Sequence, residues 1–164
     1  MNTYLILSII GTLFFSAGLA LFIYWFKLPP SLSETYYNLE KKHKNWGMMF
    51  YGYLTITVFI LIAPAVEAAG LWGFLCAAAA CFIAAAPRFK EKDQALVHII
   101  STIISAGSSL IALIVMHKLW VAAIVTAIVI GLAIWTKTYK SSLVFWLEMM
   151  AFYSLFIALI IFFI

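Results

Sequence analysis

The chain is divided early by the polar stretch PPSLSETYY, residues 29–37. It follows a long apolar segment, and it is the longest hydroxyl- and aromatic-rich run in an otherwise almost continuously apolar sequence. Its two prolines predict the end of a helix, because proline lacks the backbone N–H and clashes with the preceding turn. Ser31 and Glu34 match the S-x-x-E pattern of a capping box. The stretch therefore predicts the end of one helix and the start of a second, short one.

The short second helix is predicted to be amphipathic. At helical spacing one face carries Leu32, Tyr36, Leu39 and Trp46, and another carries Ser33, Tyr37, Glu40 and Lys44. This pattern is typical of a helix that lies on the cytoplasmic membrane surface, with its lysines toward the lipid headgroups. This interpretation does not explain why three hydroxyl residues, Thr35, Tyr36 and Tyr37, are clustered. The alternative interpretation is a headgroup or anion site, built together with the basic residues of the third connection.

Composition places the rest of the chain in a membrane. Hydrophobic residues make up 66% of the sequence and charged residues 10%, whereas a soluble domain carries about 25% charged residues. Segments of about 20 apolar residues are typical of membrane-spanning helices. We predict an all-α, six-helix transmembrane bundle within one domain, residues 1–164, with a short interfacial helix between the first two spans. The predicted spans are residues 4–26, 47–66, 70–86, 95–116, 119–135 and 142–164.

The basic residues predict the orientation of the bundle. Nine of the ten fall in the first, third and fifth connections, and only Lys118 falls on the other side. Lysine and arginine accumulate in cytoplasmic loops of membrane proteins. We therefore expect connections one, three and five to be cytoplasmic and both termini to lie outside.

Small residues cluster in the third predicted span, which holds Ala77–Ala80 and Ala84–Ala86. Small side chains let helix backbones approach closely in lipid, where no hydrophobic force draws helices together. We therefore expect this span at the centre of the bundle. Cys76 and Cys81 lie in it on different faces, which favours two small buried residues over a disulfide or metal pair.

Two ionisable residues fall inside predicted spans, His98 in the fourth and Glu148 in the sixth. Such residues are energetically costly in lipid, so each is a candidate functional residue. Both helices run outward from the cytoplasmic side, so both residues are predicted to lie just below that surface, under the first connection. They are interpreted either as static structural partners or as a proton-linked or headgroup-binding site.

The fourth span also carries a stripe of hydroxyl residues, with Ser101, Ser105 and Ser108 at spacings of three to four residues. Serines in membrane helices commonly bond to preceding carbonyls or to a neighbouring helix. Packing is therefore the favoured interpretation, and a pore lining is the alternative.

Recognisable catalytic motifs are missing from the sequence. His43, His98 and His117 are scattered, without the spacing of a zinc site, and there is no nucleophile elbow, P-loop or dinucleotide fingerprint. We predict no catalytic residues, no metal and no cofactor, and we interpret the basic pI as a consequence of topology rather than of nucleic-acid binding.

Two clusters carry a resemblance, Pro30–Tyr37 after the first helix and AAPRFK at residues 85–90 followed by Val97 and His98. Together they resemble a group of uncharacterised small polytopic membrane proteins of bacteria and phages, which implies a shared architecture. The P-x-L-S motif is more distantly similar to DRAM-like six-helix membrane proteins, whose motif loop faces away from the cytoplasm, unlike the lysine-rich connection here. The early Ser/Glu/Tyr loop also resembles that of alkaline ceramidase-like hydrolases, whose later histidine pair this chain lacks.

The sequence thus favours a non-enzymatic membrane protein that binds lipid headgroups, or a membrane-protein partner or second copy, at its cytoplasmic face. The predicted ligand-binding residues come from the first connection, the third connection and two spans: Ser33, Glu34, Thr35, Tyr36, Tyr37, Arg88, Lys90, His98 and Glu148. A small transporter or oligomeric pore is the second hypothesis. An intramembrane metal-dependent hydrolase that uses Glu34, His98 and Glu148 is the third.

Overall fold

The computed structural model describes residues 2–85 and 90–164. Within these ranges the chain forms seven α-helices and no β-strand, so the predicted all-α fold is confirmed. The helices are α1 (Thr3–Phe26), α2 (Glu34–Lys42), α3 (Trp46–Ala69), α4 (Leu71–Ala85), α5 (Lys92–Val115), α6 (Leu119–Trp135) and α7 (Leu143–Phe163).

The order of elements matches the prediction, and most boundaries shift by a few residues. Ala86, the predicted end of the third span, lies outside the described residues. Four described helices, α1, α3, α5 and α7, are long and apolar enough to cross a membrane. The other two apolar helices, α4 and α6, have 15 and 17 residues and fall short of that length. By length and composition, the prediction of six spans is therefore met for four helices.

Helix α2 is amphipathic, but its apolar face packs against protein. Leu32, Tyr36 and Leu39 are only 3%, 4% and 0% exposed, in a core shared with α3. Tyr36 packs onto the backbone of Gly47, where an added methyl group would lie 2.6 Å from its ring. The apolar face is therefore buried in protein, because the glycine lets α2 fold back onto α3. Trp46 begins α3 and does not continue α2.

Helices α3 and α7 occupy the centre of the bundle. Helix α3 packs against α1, α2, α4, α5 and α7, and α7 packs against α1, α3, α5 and α6. The Ala-rich α4 packs mainly against α3 and α5, so its expected central position is wrong. Its small residues instead let α4 come very close to α3. An added methyl group at Gly73 would lie 1.9 Å from the carbonyl oxygen of Ala65.

An aromatic cluster joins α1 to the two central helices. Phe15 is 1% exposed, and its ring contacts those of Tyr53, Phe152, Tyr153 and Phe156 at centroid distances of 5.2–6.4 Å. Such pairs contribute about 0.5–1.5 kcal/mol each beyond burial of area. These contacts help to hold α1, α3 and α7 together.

Candidate functional site

The segment PPSLS, residues 29–33, is fixed on the N-terminal part of α7. The Phe145 N–H, which belongs to the first turn of α7, donates to the Pro30 carbonyl oxygen at 3.0 Å. The Leu32 N–H donates to Glu148 Oε2 at 2.5 Å. First-turn N–H groups have no acceptor within their own helix, so the segment satisfies one of them. Glu148 in turn binds a backbone donor of the segment.

The next residue of the segment contacts α5. Ser33 Oγ lies 3.1 Å from His98 Nε2, a hydrogen bond between residues 65 positions apart. His98 is 9% exposed and lies in the second turn of α5. His98 and Glu148 therefore both reach the PPSLS segment, at adjacent residues.

The start of α2 is capped as the sequence indicates. Ser31 Oγ accepts the Glu34 N–H at 3.0 Å, which is the first of the two bonds of a capping box. The Glu34 carboxylate pairs with Lys90, whose Nζ lies 2.7 Å from Glu34 Oε1. Lys90 Nζ also lies 4.5 Å from the centre of the Tyr37 ring. The backbone N–H of Lys90 donates to the Tyr37 hydroxyl at 3.0 Å. The first and third connections thus meet, as predicted, but through an ion pair that neutralises Lys90.

A cavity of about 340 Å³ opens beneath the PPSLS segment. It is lined mainly by apolar side chains of α3, α4 and α7, with α5 along one side. Its α7 wall runs from Val144 to Leu159, a length of about 22 Å at about 1.5 Å per residue. The volume falls within the range of small-molecule sites, about 300–1,000 Å³.

The cavity is polar at one end and open on one side. Leu32, Ser33, Tyr51 and Glu148 line the end nearest the PPSLS segment, and mainly aliphatic and aromatic residues line the remainder, with a few hydroxyl residues of α3 and α5 among them. Lining residues on both α5 and α7 are exposed at the molecular surface; they are Thr102, Ala106, Val144, Leu147 and Ala151. The cavity therefore opens laterally between α5 and α7, on the surface that a bilayer would cover.

Tyr51 adds an unsatisfied polar group to this polar end. The residue is 2% exposed, and its hydroxyl has no hydrogen-bond partner among the described residues. Ser33 and Glu148 lie near it. A buried hydroxyl without a partner costs about 1–3 kcal/mol, so this group is poised to bind a polar atom that enters the cavity.

The structure brings some of the predicted ligand-binding residues together and separates others. Ser33 and Glu148 line the cavity, and His98 contacts Ser33 from behind. Thr35 and Tyr36 are each 4% exposed, pack into the protein core and do not line the cavity. Glu34, Tyr37 and Lys90 form the separate surface cluster described above. Arg88 lies outside the described residues.

The hydroxyl stripe of α5 divides between two faces. Thr102, Ser105 and Ser109 line the cavity, whereas Ser101 and Ser108 are buried and do not. The cavity-facing hydroxyls donate to backbone carbonyls: Thr102 to His98, Ser105 to Cys76 and Ser109 to Ala106. Three of the hydroxyls thus bond to backbone, which is the packing role that serines commonly have in membrane helices.

The apolar walls and Tyr51 were missed by sequence reasoning. Tyr51 lies among aromatic residues of α3, and the sequence does not indicate which of its neighbours faces inward. The apolar lining of α7 is equally hidden, because α7 is hydrophobic all round and shows no periodic pattern. The only feature of the sequence that pointed to this part of α7 is Glu148, an ionisable residue inside a predicted span.

No metal centre is evident in the part of the chain that the structure describes, since no three His, Cys, Asp or Glu residues there are grouped to hold an ion. Cys76 and Cys81 are free thiols, the first buried and the second half-buried. The site is therefore interpreted from its hydrogen bonds and its cavity. No protein-family model, curated protein or solved structure matches the chain.

Proposed function

We propose that the chain is a six-span integral membrane protein of a bacterial cytoplasmic membrane that binds the acyl chain of a lipid in its cavity. The observation that carries the proposal is the form of the cavity, which is polar at one end, apolar along its length and open toward the bilayer. The resemblance to small polytopic bacterial and phage membrane proteins is compatible with this role.

The two shorter apolar helices complete the six spans in this proposal. Helices α4 and α6 have 15 and 17 residues, which at about 1.5 Å per residue gives about 22 and 25 Å. A bilayer core of about 30 Å adapts to such helices by local thinning, at a cost of fractions of a kcal/mol per Å. Nine of ten basic residues then fall on the cytoplasmic side, and both termini lie outside.

The cavity is long enough to hold an acyl chain. Its α7 wall, from Val144 to Leu159, is about 22 Å long, whereas half of a hydrocarbon core of about 30 Å is about 15 Å. With the PPSLS segment at the cytoplasmic side, the polar end lies near the cytoplasmic surface. An acyl chain entering between α5 and α7 would then run alongside Leu155 and Leu159 and past the bilayer midplane.

The exposed lysines support a second contact with lipid. Lys41, Lys42 and Lys44 are exposed at the end of α2 and in the turn that follows. Basic residues near the surface contribute about 1 kcal/mol each to attraction by anionic lipids. In this proposal they hold the cytoplasmic face against the headgroups, while the cavity binds a chain.

A pore lined by Ser101, Ser105 and Ser108 has less support. Ser101 and Ser108 do not line the cavity, and Ser105 bonds to the Cys76 carbonyl. A path for ions or polar solutes would need a continuous polar lining, and the walls here are mainly apolar.

Native mass spectrometry of protein extracted with its lipids tests the proposal. Ala80 lines the cavity, and Ala123 is an exposed residue of α6. We expect the wild type and Ala123→Phe to retain a lipid at high collision energy, and Ala80→Phe to lose it. Equal lipid retention in Ala80→Phe and Ala123→Phe would contradict binding in the cavity.

A further inference from the structure

We propose that Ser33 and His98 form a nucleophile–base pair that hydrolyses an ester of the lipid whose acyl chain occupies the cavity. The inference rests on the proposed function, since it requires that chain to be bound. The hypothesis of a hydrolase thereby returns with different chemistry: a serine attacks the ester, and no metal takes part.

Ser33 has the position that a nucleophile requires. It lines the polar end of the cavity, and its Oγ lies 3.1 Å from His98 Nε2. Activated serine nucleophiles lie within about 2.6–3.2 Å of their base. His98 contacts Ser33 without being part of the cavity lining, so Ser33 is the member of the pair that faces the cavity.

Tyr51 supplies the third group that acyl transfer needs. Its hydroxyl is buried, faces the same end of the cavity as Ser33 and has no hydrogen-bond partner among the described residues. Attack on an ester places negative charge on the carbonyl oxygen, and tyrosine hydroxyls are among the donors that stabilise such an oxyanion. The carbonyl oxygen of the substrate therefore accepts a hydrogen bond from the Tyr51 hydroxyl, which has no other partner among the described residues.

The reaction proceeds in two balanced steps. Ser33 Oγ bonds to the ester carbonyl carbon as His98 Nε2 takes the hydroxyl proton, and the ester C–O bond then breaks as that proton passes to the leaving alcohol. Water next bonds to the acyl carbon and gives a proton to His98, which returns it to Ser33 as the acyl–Ser33 bond breaks. The net change is ester plus water to alcohol plus carboxylic acid.

The surroundings favour an ester with an uncharged alcohol portion. Glu148 is the one ionisable carboxyl group of the lining, and among the described residues no lysine or arginine lines the cavity. A phosphate next to Glu148 would therefore lack a compensating cation. Glu148 itself is a positioning residue, since its Oε2 holds the Leu32 N–H and thereby the adjacent Ser33.

Two reagents test the inference on purified full-length protein in nanodiscs. The first is a long-chain alkyl fluorophosphonate, which reacts covalently with activated serines. The second is a p-nitrophenyl ester of a medium-chain fatty acid. Ser33→Ala removes the nucleophile. His98→Gln keeps a hydrogen-bonding side chain beside Ser33 but removes the base. Ser141→Ala is the matched control, because Ser141 is an exposed serine whose hydroxyl donates only to the Thr138 carbonyl.

We expect the probe to form an adduct on Ser33 in the wild type and in Ser141→Ala, and none in Ser33→Ala. In His98→Gln both the labelling rate and the ester turnover should fall on the order of 10²-fold or more. A monodisperse size-exclusion profile and retained helical circular dichroism in both active-site variants show that they are folded.

The contrary outcomes separate the two proposals. If the wild type retains lipid but Ser33 forms no adduct and the ester is not hydrolysed, the pair is structural and the inference is overturned, while the proposed function stands. If labelling and turnover survive in Ser33→Ala, the inference is likewise overturned. If the wild type retains no lipid, the proposed function fails, and the inference that rests on it fails too.

Discussion

The backbone N–H of Leu32 donates to Glu148 Oε2 across 2.5 Å, joining residues 116 positions apart. One residue further on, Ser33 bonds to His98 of α5. The PPSLS segment is thus held between α5 and α7, over the polar end of the cavity. This arrangement gives a physical reason for two ionisable residues inside apolar helices: each fixes the segment that closes the site.

Removing the carboxyl group of Glu148 should free the PPSLS segment. In Glu148→Leu the Leu32 N–H loses its acceptor, and a buried donor left without a partner costs about 1–3 kcal/mol. Glu148→Gln keeps an acceptor oxygen and should cost less. Thermal unfolding in detergent and hydrogen exchange at Leu32 measure the two effects. Equal stability and equal exchange in both variants would contradict the anchoring role.

The close approach of α3 and α4 should make Gly73 intolerant of any side chain. Gly73→Ala places a methyl group 1.9 Å from the Ala65 carbonyl oxygen, and we expect a loss of about 1–3 kcal/mol or more from overpacking. Gly131→Ala in α6 is the matched control, since nothing lies within 4 Å of the new methyl group. It should be neutral or stabilising by up to about 1 kcal/mol. Similar unfolding temperatures for the two variants would count against the packing described.

The surface cluster and the buried face of α2 should differ sharply in energetic weight. Lys90→Ala removes a solvent-exposed ion pair with Glu34, and such pairs contribute about 0–1 kcal/mol. Tyr36→Ala removes a buried ring from the core, at about 3–5 kcal/mol for an aromatic truncation. The free energies of unfolding of the two variants check the contrast. A larger loss in Lys90→Ala than in Tyr36→Ala would be inconsistent with the core placement of α2.

The proposed topology predicts opposite accessibility for two lysine positions. After Cys76 and Cys81 are replaced by alanine, a membrane-impermeant maleimide applied to intact cells should label Lys118→Cys and not Lys137→Cys. The reason is that Lys118 alone among the basic residues falls on the outer side. Labelling of Lys137→Cys but not of Lys118→Cys would reverse the assigned orientation.

Local patterns predicted the elements of the fold well. The two prolines, Ser31 and Glu34 placed the end of α1 and the start of α2, because capping and helix termination depend on a few neighbouring residues. Helix partners were harder to predict. The Ala-rich α4 was expected at the centre, yet small residues specify how close two helices come and not which helices they are.

The site was predicted in part, for a related reason. His98 and Glu148 stood out because ionisable groups are rare inside apolar segments, and Ser33 stood out because it lies in the longest polar run of the sequence. The cavity could not be inferred, since α3 and α7 are hydrophobic on every face and show no period from which to read an inward side. The burial of Thr35 and Tyr36 was not predicted, because the packing of α2 against α3 depends on the absent side chain of Gly47.

Photochemical crosslinking tests the central claim, that a lipid chain occupies the cavity, most directly. A lipid with a diazirine near the middle of its acyl chain is irradiated in nanodiscs, and the adducts are mapped by mass spectrometry. We predict adducts on cavity-lining residues such as Ala77 and Leu155, which Ala80→Phe abolishes and Ala123→Phe does not. Adducts confined to the outward faces of α5 and α6, and unaffected by Ala80→Phe, would contradict the account.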